Sequence, residues 1–394
     1  QFIVEEIPSI GDVEIIGNKK VETNDIREKI GLRRGATFNE HLIQESKKEI
    51  LKIYREKGYF FAETRIETKQ GSDNLIAVVI KIREGKKVKI KKIRFSGNKA
   101  FKDKELAKTM ETAQQTWWSF LDDSGVYQKD VLKLDLFRIE GFYQDSGYLR
   151  AKVLEPKIDI DKKENQIHII IPVEEGPQFR IKSIEIKGDN TIPHDEIRKS
   201  ILTKKGAIYN VSQLRQDIVT VTDMYSSKGF AYADINPITK INDQNHVVDL
   251  SINIDKGKKV YVGKINMLGN IKTKDNVIRR EFRLREGEVF DGSKLKRSKQ
   301  RINNLNFFED VKIDTQRGDN PDLIDILTTL TEKPTGTFTV GAGFSSVENL
   351  IFTTSIAQNN LFGNGHRVNL TASLSSIRTD FNINLTEPRL FDST

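Results

Sequence analysis

Four copies of one short pattern constrain the fold more than any other feature of this chain. The pattern is an alternating strand that ends in glycine followed by asparagine or aspartate. The pairs lie at residues 17–18, 97–98, 188–189 and 269–270, with spacings of 80, 91 and 81 residues. Similarity at a fixed period indicates repeated supersecondary units. We therefore expect four units, each about 80 residues long.

Each unit shows the same order of periodicities. After the glycine pair comes a short helical pattern and then a longer amphipathic helix. In the first three units the longer helix ends in a glycine and an aromatic residue, where glycine suits a left-handed C-terminus and the aromatic can fold back, whereas the fourth unit has LNFF at 305–308 instead. Two further strands follow, which predicts a β-α-α-β-β unit with two helices over one sheet face. The expected N-caps of the short helices are Asn24, Asp103, Asp195 and Asp275.

The composition changes abruptly near residue 335. Residues 1–336 carry 61 Lys+Arg and 52 Asp+Glu, whereas residues 337–394 carry 3 and 4. From TGTFTVGAGF at 335–344 onward, four segments alternate apolar with small or polar residues. This two-residue period is typical of a membrane barrel wall, although a soluble β-sandwich shows it as well. We expect four strands whose apolar side chains share one face toward lipid.

The remaining composition favours a binding protein over an enzyme. The net charge is +8, but acidic residues are interleaved with basic ones, so we expect solvated faces and no nucleic-acid partner. Without cysteine there is no thiol nucleophile or Cys-ligated zinc. The histidines lack metal-site spacing, and we predict no metal, no cofactor and no catalytic residue. They are His41, His168, His194, His246 and His366.

Four other segments carry weaker signals. GNGH at 363–366 predicts a tight turn, and DTQRGDNPDLID at 314–325 predicts a hairpin turn. The Trp117–Trp118 pair favours packing or loop anchoring over a ligand platform. The chain begins with what looks like the end of a strand, so residues 1–10 are expected to close a preceding, truncated unit.

The register of these features resembles the polypeptide-transport-associated repeat, POTRA, over nearly all of residues 12–334. The tail, TGTFTVGAGFSS followed by AQNNLFGNGHRVNL, resembles the start of a BamA-type outer-membrane barrel. The resemblance implies an α+β fold of tandem POTRA repeats followed by the first strands of a truncated transmembrane antiparallel β-barrel. The second unit carries an insertion at 114–128, which resembles an insertion in the third repeat of the family. The fourth unit has LNFF at 305–308 in place of the glycine-aromatic motif, and in this it resembles the barrel-proximal repeat of the family.

The resemblance also implies a serial assignment of the units. They would be the second to fifth repeats of a five-repeat arm, followed by barrel strands. The predicted domains are residues 1–10, 11–87, 88–179, 180–260, 261–334 and 335–394.

The function that this resemblance implies is that of the central subunit of outer-membrane β-barrel assembly. Its partners would be unfolded outer-membrane proteins, accessory assembly lipoproteins and outer-membrane lipid, with the repeats in the periplasm. Client strands would pair with repeat edges near 61–69, 149–160 and 231–241. An ordinary solvated edge, protected by Lys and Glu, remains open as the alternative.

The first tail strand is the implied lateral seam for a client's terminal strand. A glycine-bearing strand pairs weakly and leaves an edge that can template another strand. Glycines that relieve crowding or allow a bend are the alternative explanation. The predicted pairing residues are Gly336, Thr337, Phe338, Thr339, Val340, Gly341 and Gly343.

The charged segment RREFRLREGE at 279–288 is the implied contact for an accessory lipoprotein, through Arg279, Arg280 and Glu286. A plain exposed face is the alternative. For the whole chain, the alternatives are a two-partner secretion transporter, a TamA-like protein or a passive barrel-anchored scaffold. Four repeats plus a remnant argue against the first two, which have two and three repeats.

Overall fold

The computed structural model describes residues 7–71, 74–116 and 124–388. The Trp117–Trp118 pair lies outside these described residues. The chain forms two compact units, one comprising residues up to 180 with 208–211, and the other 181–207 with the residues from 212 onward. Within the described ranges, no helix is long and apolar enough to cross a membrane.

The first repeat has the predicted β-α-α-β-β order. Its elements are β1 (Ser9–Ile16), α1 (Thr23–Lys29), α2 (Glu40–Glu56), β2 (Glu63–Gln70) and β3 (Leu75–Arg83). The last strand is central, because β3 pairs in parallel with β1 and antiparallel with β2. The strand after the glycine-aromatic pair, β2, therefore lies at an edge of the sheet, as expected.

The other repeats keep this order and this central last strand. The second comprises β4 (Lys89–Ser96), α3 (Asp103–Ala107), α4 (Lys129–Asp145), β5 (Lys152–Val153), β6 (Lys157–Asp161) and β7 (Gln166–Glu174). The third comprises β8 (Arg180–Gly188), α5 (His194–Ser200), α6 (Val211–Ser226), β9 (Asp234–Asn242) and β10 (Val247–Asp255). The fourth comprises β11 (Tyr261–Leu268), α7 (Asp275–Arg279), α8 (Gly292–Asn304), β12 (Phe308–Arg317) and β13 (Leu323–Glu332).

The start of the first repeat differs from the predicted boundary at residue 10. Strand β1 begins at Ser9, and Ser9 and Ile10 pair with Leu75 and Ile76 of β3. Ile10 is fully buried in the core of this repeat. These two residues therefore belong to the first repeat and not to a preceding one.

The longer helix of each repeat covers the sheet with one apolar stripe. In α2, Ser46, Ile50 and Tyr54 are buried at intervals of four residues, which places them on one face. That face packs on the inward side chains of β3, such as Val78 and Ile80. The predicted helical stripe is confirmed.

The recurrent Gly-Asn pair has a structural role in each turn. The four glycines have φ between 87° and 93°, and a Cβ on Gly17 would overlap the carbonyl oxygen of Ile82. Glycine tolerates this left-handed conformation and this close approach, whereas other residues do not. The Asn18 amide then donates to the Val21 carbonyl across the turn, at 3.1 Å. The pair therefore closes the turn between the first strand and the first helix.

The glycine-aromatic pair ends the longer helix as predicted. Gly58 has φ 90°, and the N–H of Tyr59 donates to the Tyr54 carbonyl at 2.8 Å. The two tyrosine rings then meet edge to face, with centroids 6.1 Å apart. In the fourth repeat, Asn306 takes the left-handed position with φ 60°, and α8 has 13 residues against 17 in α2. Asparagine replaces glycine there because it tolerates this conformation better than most residues.

The predicted N-caps of the short helices are wrong. Asn24, Asp103, Asp195 and Asp275 lie inside the first turns, while the cap positions are Glu22, Lys102, Pro193 and Lys274. Acidic side chains in a first turn still favour the helix through its dipole. Cap positions and first turns favour similar polar residue types. The caps predicted from the sequence therefore lie one or two residues after the observed cap positions.

The tail forms one antiparallel sheet of four strands, in the order β14-β15-β16-β17. These strands are β14 (Gly336–Ser345), β15 (Asn349–Leu361), β16 (His366–Ser375) and β17 (Thr379–Thr386). The segments 314–325 and 363–366 contain the predicted turns, before β13 and between β15 and β16. Such an antiparallel meander is consistent with the start of a barrel, and the described strands do not close one.

Candidate functional site: the first tail strand, the repeat edges and the junction

The apolar side chains of the tail sheet form one continuous face. Phe338 is paired with Ile356, Ile356 with Leu370, and Leu370 with Ile383. Because directly paired residues point to the same side of a sheet, this row spans all four strands. All four side chains are exposed, and Phe338 is 68% exposed. The described residues place no second sheet over this face, in contrast to a β-sandwich.

Strand β14 brings the predicted seam residues together along one edge. In the described part of the chain, β14 pairs with β15 on one side, from Gly336 with Gln358 to Ser345 with Asn349. Thr337 and Thr339 point to the polar side, opposite Phe338. The seam residues are therefore contiguous, and pairing with a client strand stays a prediction.

The two central glycines of β14 are not required by the surrounding structure. Neither Gly341 nor Gly343 has a positive φ, and a Cβ on either would have no described heavy atom within 4 Å. Crowding, one alternative explanation for these glycines, is therefore absent among the described residues. Glycine contributes no side chain to cross-strand contacts and weakens a strand. This observation favours the weak-pairing interpretation.

The residue that precedes β14 makes two hydrogen bonds to β15. The hydroxyl of Thr335 donates to the Gln358 side chain at 2.5 Å, and the N–H of Asn359 donates to the Thr335 carbonyl at 3.1 Å. The glycines lie further along the strand. Strand β14 is therefore joined to β15 by further hydrogen bonds just before its first residue, next to the fourth repeat.

The outer edges of the repeats differ in how well they could accept a strand. Strand β2 is continuous over Glu63–Gln70, whereas the corresponding edge of the second repeat is divided into β5 and β6 around Pro156. Strand β9 pairs with β10 over nine consecutive residues without a register shift, although it contains Pro237. Proline is tolerated at an edge where its nitrogen faces away from the neighbouring strand. The outer edge of β9 therefore lacks one N–H donor near its centre.

The fourth repeat contacts the β15–β16 turn through backbone and amide groups. The N–H of Lys274 donates to the Gly363 carbonyl at 3.0 Å. The buried Asn360 side chain donates to the Thr273 hydroxyl at 2.8 Å and accepts the N–H of Gly365 at 2.8 Å. Gly363 has φ 73°, and a Cβ there would overlap the Lys272 carbonyl oxygen. The turn is thus fitted closely to the repeat.

Glu332 extends this network from the end of β13. Its carboxylate accepts the N–H groups of Lys272 at 2.9 Å and Thr273 at 2.7 Å. Burial alone would raise the pKa of this carboxyl, but the hydrogen bonds from the Thr273 hydroxyl and from the two N–H groups outweigh burial. The pKa of Glu332 therefore lies below its ordinary value. An ionised Glu332, Thr273 and Asn360 form one chain of hydrogen bonds. A cleft of about 540 Å³ adjoins it.

The structure separates the three residues predicted to contact a lipoprotein. Arg279 forms an ion pair with Glu286 at 3.5 Å. The Arg279 guanidinium also donates to the Ile265 carbonyl, and the Glu286 carboxylate accepts the Ile265 N–H. Arg280 is different, because its side chain is only 15% exposed and a Cβ on Gly365 would lie 2.8 Å from its Nη2. Arg279 and Glu286 are therefore available at the surface, whereas Arg280 supports the junction.

The predicted histidines do not meet. His366 pairs with Glu387 in the tail sheet, and His194 bonds the Asp189 carbonyl at 3.0 Å. In the described ranges, no group of three or more His, Cys, Asp or Glu side chains could hold a metal ion.

Sequence reasoning missed the junction residues Asn360, Thr273 and Glu332. The signal that could have found them is NNLFGNGH at 359–366, which is longer and richer in glycine and asparagine than a plain strand turn needs. Its partners lie near residue 273, and no local pattern connects segments so far apart.

Four β-α-α-β-β repeats joined to an antiparallel sheet with one apolar face define a repeat-arm protein attached to barrel strands. The chain belongs to the POTRA family, described as surface antigen variable number repeat. The family profile matches residues 8–85, 88–176, 179–257 and 260–333.

Two of the similar proteins are named outer membrane protein assembly factor BamA. The chain is 31% identical over 388 residues to the outer membrane protein assembly factor BamA of Neisseria meningitidis, covering 97% of this chain and 49% of that protein. It is 29% identical over 397 residues to the factor of the same name from Nitratidesulfovibrio vulgaris, covering 99% and 50%. The chain thus spans about half the length of these curated relatives.

Two solved structures share the fold. The crystal structure of repeats 3–5 of Haemophilus influenzae BamA matches with a TM-score of 0.54 at 20% identity, covering 62% of this chain and 96% of that one. BamA from Haemophilus ducreyi lacking repeats 1–3 matches with a TM-score of 0.50 at 27% identity, covering 54% and 41%.

Proposed function

We propose that this chain belongs to the central subunit that folds and inserts β-barrel proteins into the outer membrane. The POTRA arm lies in the periplasm, and β14–β17 lie in the outer membrane with their apolar face toward lipid. One observation carries the proposal: a continuous apolar face on four strands is joined by a hydrogen-bond network to the last of four repeats, each of which has sheet edges. The names of the similar proteins support the same function.

The proposed mechanism is driven by binding and not by chemistry. Unfolded outer-membrane proteins pair with exposed repeat edges, where main-chain hydrogen bonds accept varied sequences. The weakly pairing segment around Gly341 and Gly343 then separates from its closing strand and templates the terminal strand of the client. No nucleotide is hydrolysed, and the protein is not an enzyme.

Accessory lipoproteins bind the fourth repeat in this proposal. Arg279 and Glu286 remain the contact residues because both are about half exposed on one surface. Arg280 is no longer part of this surface, since it lies against the β15–β16 turn.

Site-specific photocrosslinking in the full-length protein tests the seam. Probes at Thr337, Thr339 and Gly341 should crosslink to the terminal strand of a client stalled during insertion, while a probe at Ser373 on β16 should not. Crosslinks from β14 only to this protein's own closing strand would contradict the seam. A disulfide that locks β14 to that closing strand should also stop insertion.

Depletion of the protein distinguishes assembly from a passive scaffold. We expect outer-membrane barrel proteins to fall in abundance when it is depleted. Normal levels of these proteins would contradict an assembly function and favour a scaffold.

A further inference from the structure

A cleft opens between the first and second repeats, which both belong to the first compact unit. Its volume is about 880 Å³. Pockets that bind small groups typically measure about 300–1,000 Å³ and have apolar walls with a few polar groups. The walls are Phe60, Phe61, Tyr127 and Ile160, and the rim carries Lys52, Arg55, Glu56, Lys129 and Asp130. The cleft is therefore suited to an apolar group.

The aromatic walls of the cleft are held by packing. Phe60 and Phe61 follow the end of helix α2 and pack against the core of the second repeat. The rings of Phe60 and Tyr127 have centroids 5.7 Å apart. The Lys162 ammonium group lies 5.6 Å from the centroid of the Phe61 ring. These contacts keep the aromatic surfaces in place beside the open space.

The edge strand β6 lies beside this cleft. Within the described residues, β6 pairs with β7 alone, so its other side is a free edge. Ile158 and Ile160 pair with core residues of β7, and directly paired side chains point to the same side of a sheet. They nevertheless remain 37% and 36% exposed. A strand added at this edge would cover them and continue the core.

Comparison within the chain shows that the other repeats lack this combination. The edge positions that match Ile158 and Ile160 by strand register are Thr68 and Gln70, Thr239 and Ile241, and Thr315 and Arg317. Only the second repeat is apolar at both positions. In the fourth repeat, the Arg317 guanidinium lies 5.4 Å from the ring of Tyr232, which matches Phe61 in the sequence. A charged side chain thus covers the aromatic residue there, whereas Ile160 leaves an apolar surface.

Strand geometry determines which side chain would enter the cleft. A residue directly opposite Ile160 on an added strand has its Cβ about 4.5–5.5 Å from that of Ile160 and points to the same side. Its neighbours along the strand point to the other face, beside Asp159 and Asp161. The site therefore fits a strand that alternates apolar and polar residues. Such alternation is typical of membrane barrel strands, and an aromatic ring can pack favourably against the aromatic walls.

We infer that this cleft binds an aromatic side chain of a client strand that pairs with β6. The cleft thereby selects which segments of an unfolded outer-membrane protein pair with the second repeat. This inference rests on the proposed pairing of clients with repeat edges. Main-chain hydrogen bonds supply affinity at such an edge, and a pocket for alternate side chains supplies specificity.

Peptide binding to the full-length protein tests this selection. The probe is a short fluorescent peptide of alternating valine and threonine with phenylalanine at the central apolar position, and the reference peptide has alanine there. Lys129→Trp fills the cleft from its exposed rim and leaves the walls unchanged. Lys133→Trp, about one helical turn further along α4 and outside the cleft lining, is the matched control. A photocrosslinking residue at Asp159, on the other face of β6, reports edge pairing independently of the cleft.

We expect the phenylalanine peptide to bind roughly 2- to 10-fold more tightly than the alanine peptide. Lys129→Trp should abolish this preference, and Lys133→Trp should keep it. Equal binding of the two peptides, with crosslinks from residue 159, would overturn the cleft and leave edge pairing intact. A preference that survives Lys129→Trp would also overturn the cleft. If neither peptide crosslinks to residue 159, pairing at this edge fails, and the inference fails with it.

Discussion

The ammonium group of Lys256 lies 2.8 Å from the carboxylate of Asp189 and closes the third repeat by an ion pair. In the other repeats, a glutamate at the same strand end accepts backbone N–H groups of the glycine turn instead. These glutamates are Glu84, Glu175 and Glu332. The third repeat therefore has the acidic residue, Asp189, on the turn, at the position where the other repeats have asparagine. Its basic residue, Lys256, lies at the strand end, where the other repeats have glutamate.

Reversing the charge at residue 256 tests whether the Lys256–Asp189 ion pair stabilises the third repeat. Lys256→Glu places a second carboxylate opposite Asp189, and we expect the third repeat to lose about 1 kcal/mol of local stability. That value is below the 1.5–3 kcal/mol of a hydrogen bond to a charged group, because the Lys256 side chain is 39% exposed. Hydrogen exchange of the β8 and β10 amides measures the loss.

Adding Asp189→Asn to Lys256→Glu recreates the combination of the other repeats and should restore protection. Asp189→Asn alone is the matched control. If the double variant is no more stable than Lys256→Glu, the ion pair of the third repeat and the glutamate contacts of the other repeats are not equivalent.

Acidic pH should weaken the network at Glu332. Its folded-state pKa lies below the ordinary 4.5, so the unfolded chain binds more protons as the pH falls. The stabilising contribution is fully present above the unfolded pKa and is lost as pH falls through the folded pKa. We expect the thermal stability of the fourth repeat to decrease as the pH falls below about 5.

Glu332→Gln provides the control for this pH dependence. The amide cannot ionise, so the variant should be less stable near neutral pH and should vary less with pH in this window. An unchanged pH profile in Glu332→Gln would show that other carboxyl groups govern the acid response.

The buried amide of Asn360 should stabilise the junction. Asn360→Ala removes the donor to Thr273 and leaves the Gly365 N–H without this acceptor, a loss of about 1–3 kcal/mol. Faster hydrogen exchange of the Thr273 and Gly365 amides would show this loss of stability. Asn359→Ala, at the exposed neighbouring position, should have little effect, and equal exchange in the two variants would contradict the role of Asn360.

Pro237 should limit strand pairing at the third repeat. Pro237→Thr adds an N–H on the outer edge of β9, and we expect more crosslinking of an unfolded client to this edge. Asn236→Thr raises strand propensity without adding a donor and serves as the control. If both variants crosslink equally, the missing N–H does not determine pairing there.

The glycines of β14 should keep the seam weak. The variant with both Gly341→Thr and Gly343→Thr adds cross-strand contacts, at up to about 1 kcal/mol per residue, and should slow client insertion. Ser373→Thr, on β16 away from the seam, is the matched control. Insertion at the normal rate in the double variant would contradict a seam that opens through weak pairing.

Local features of the fold could be read from the sequence because they depend on residues close together in the chain. The helical stripe of Ser46, Ile50 and Tyr54 follows from a 3.6-residue period, and the strand faces around Phe338 follow from a two-residue period. Gly58 marks a helix end because its conformation is left-handed. Repetition of these signals at a spacing near 80 residues determined the four-unit architecture.

Only the tertiary structure decided how the repeats and the tail strands are connected. Asn360 and Thr273 are 87 residues apart, and their hydrogen bond follows from how the β15–β16 turn lies against the fourth repeat. The same contact buries Arg280, which the sequence placed on an exposed face, and leaves Ile271 exposed. Periodicity reports which side of an element a residue occupies, but it carries no information on which distant segment covers that side.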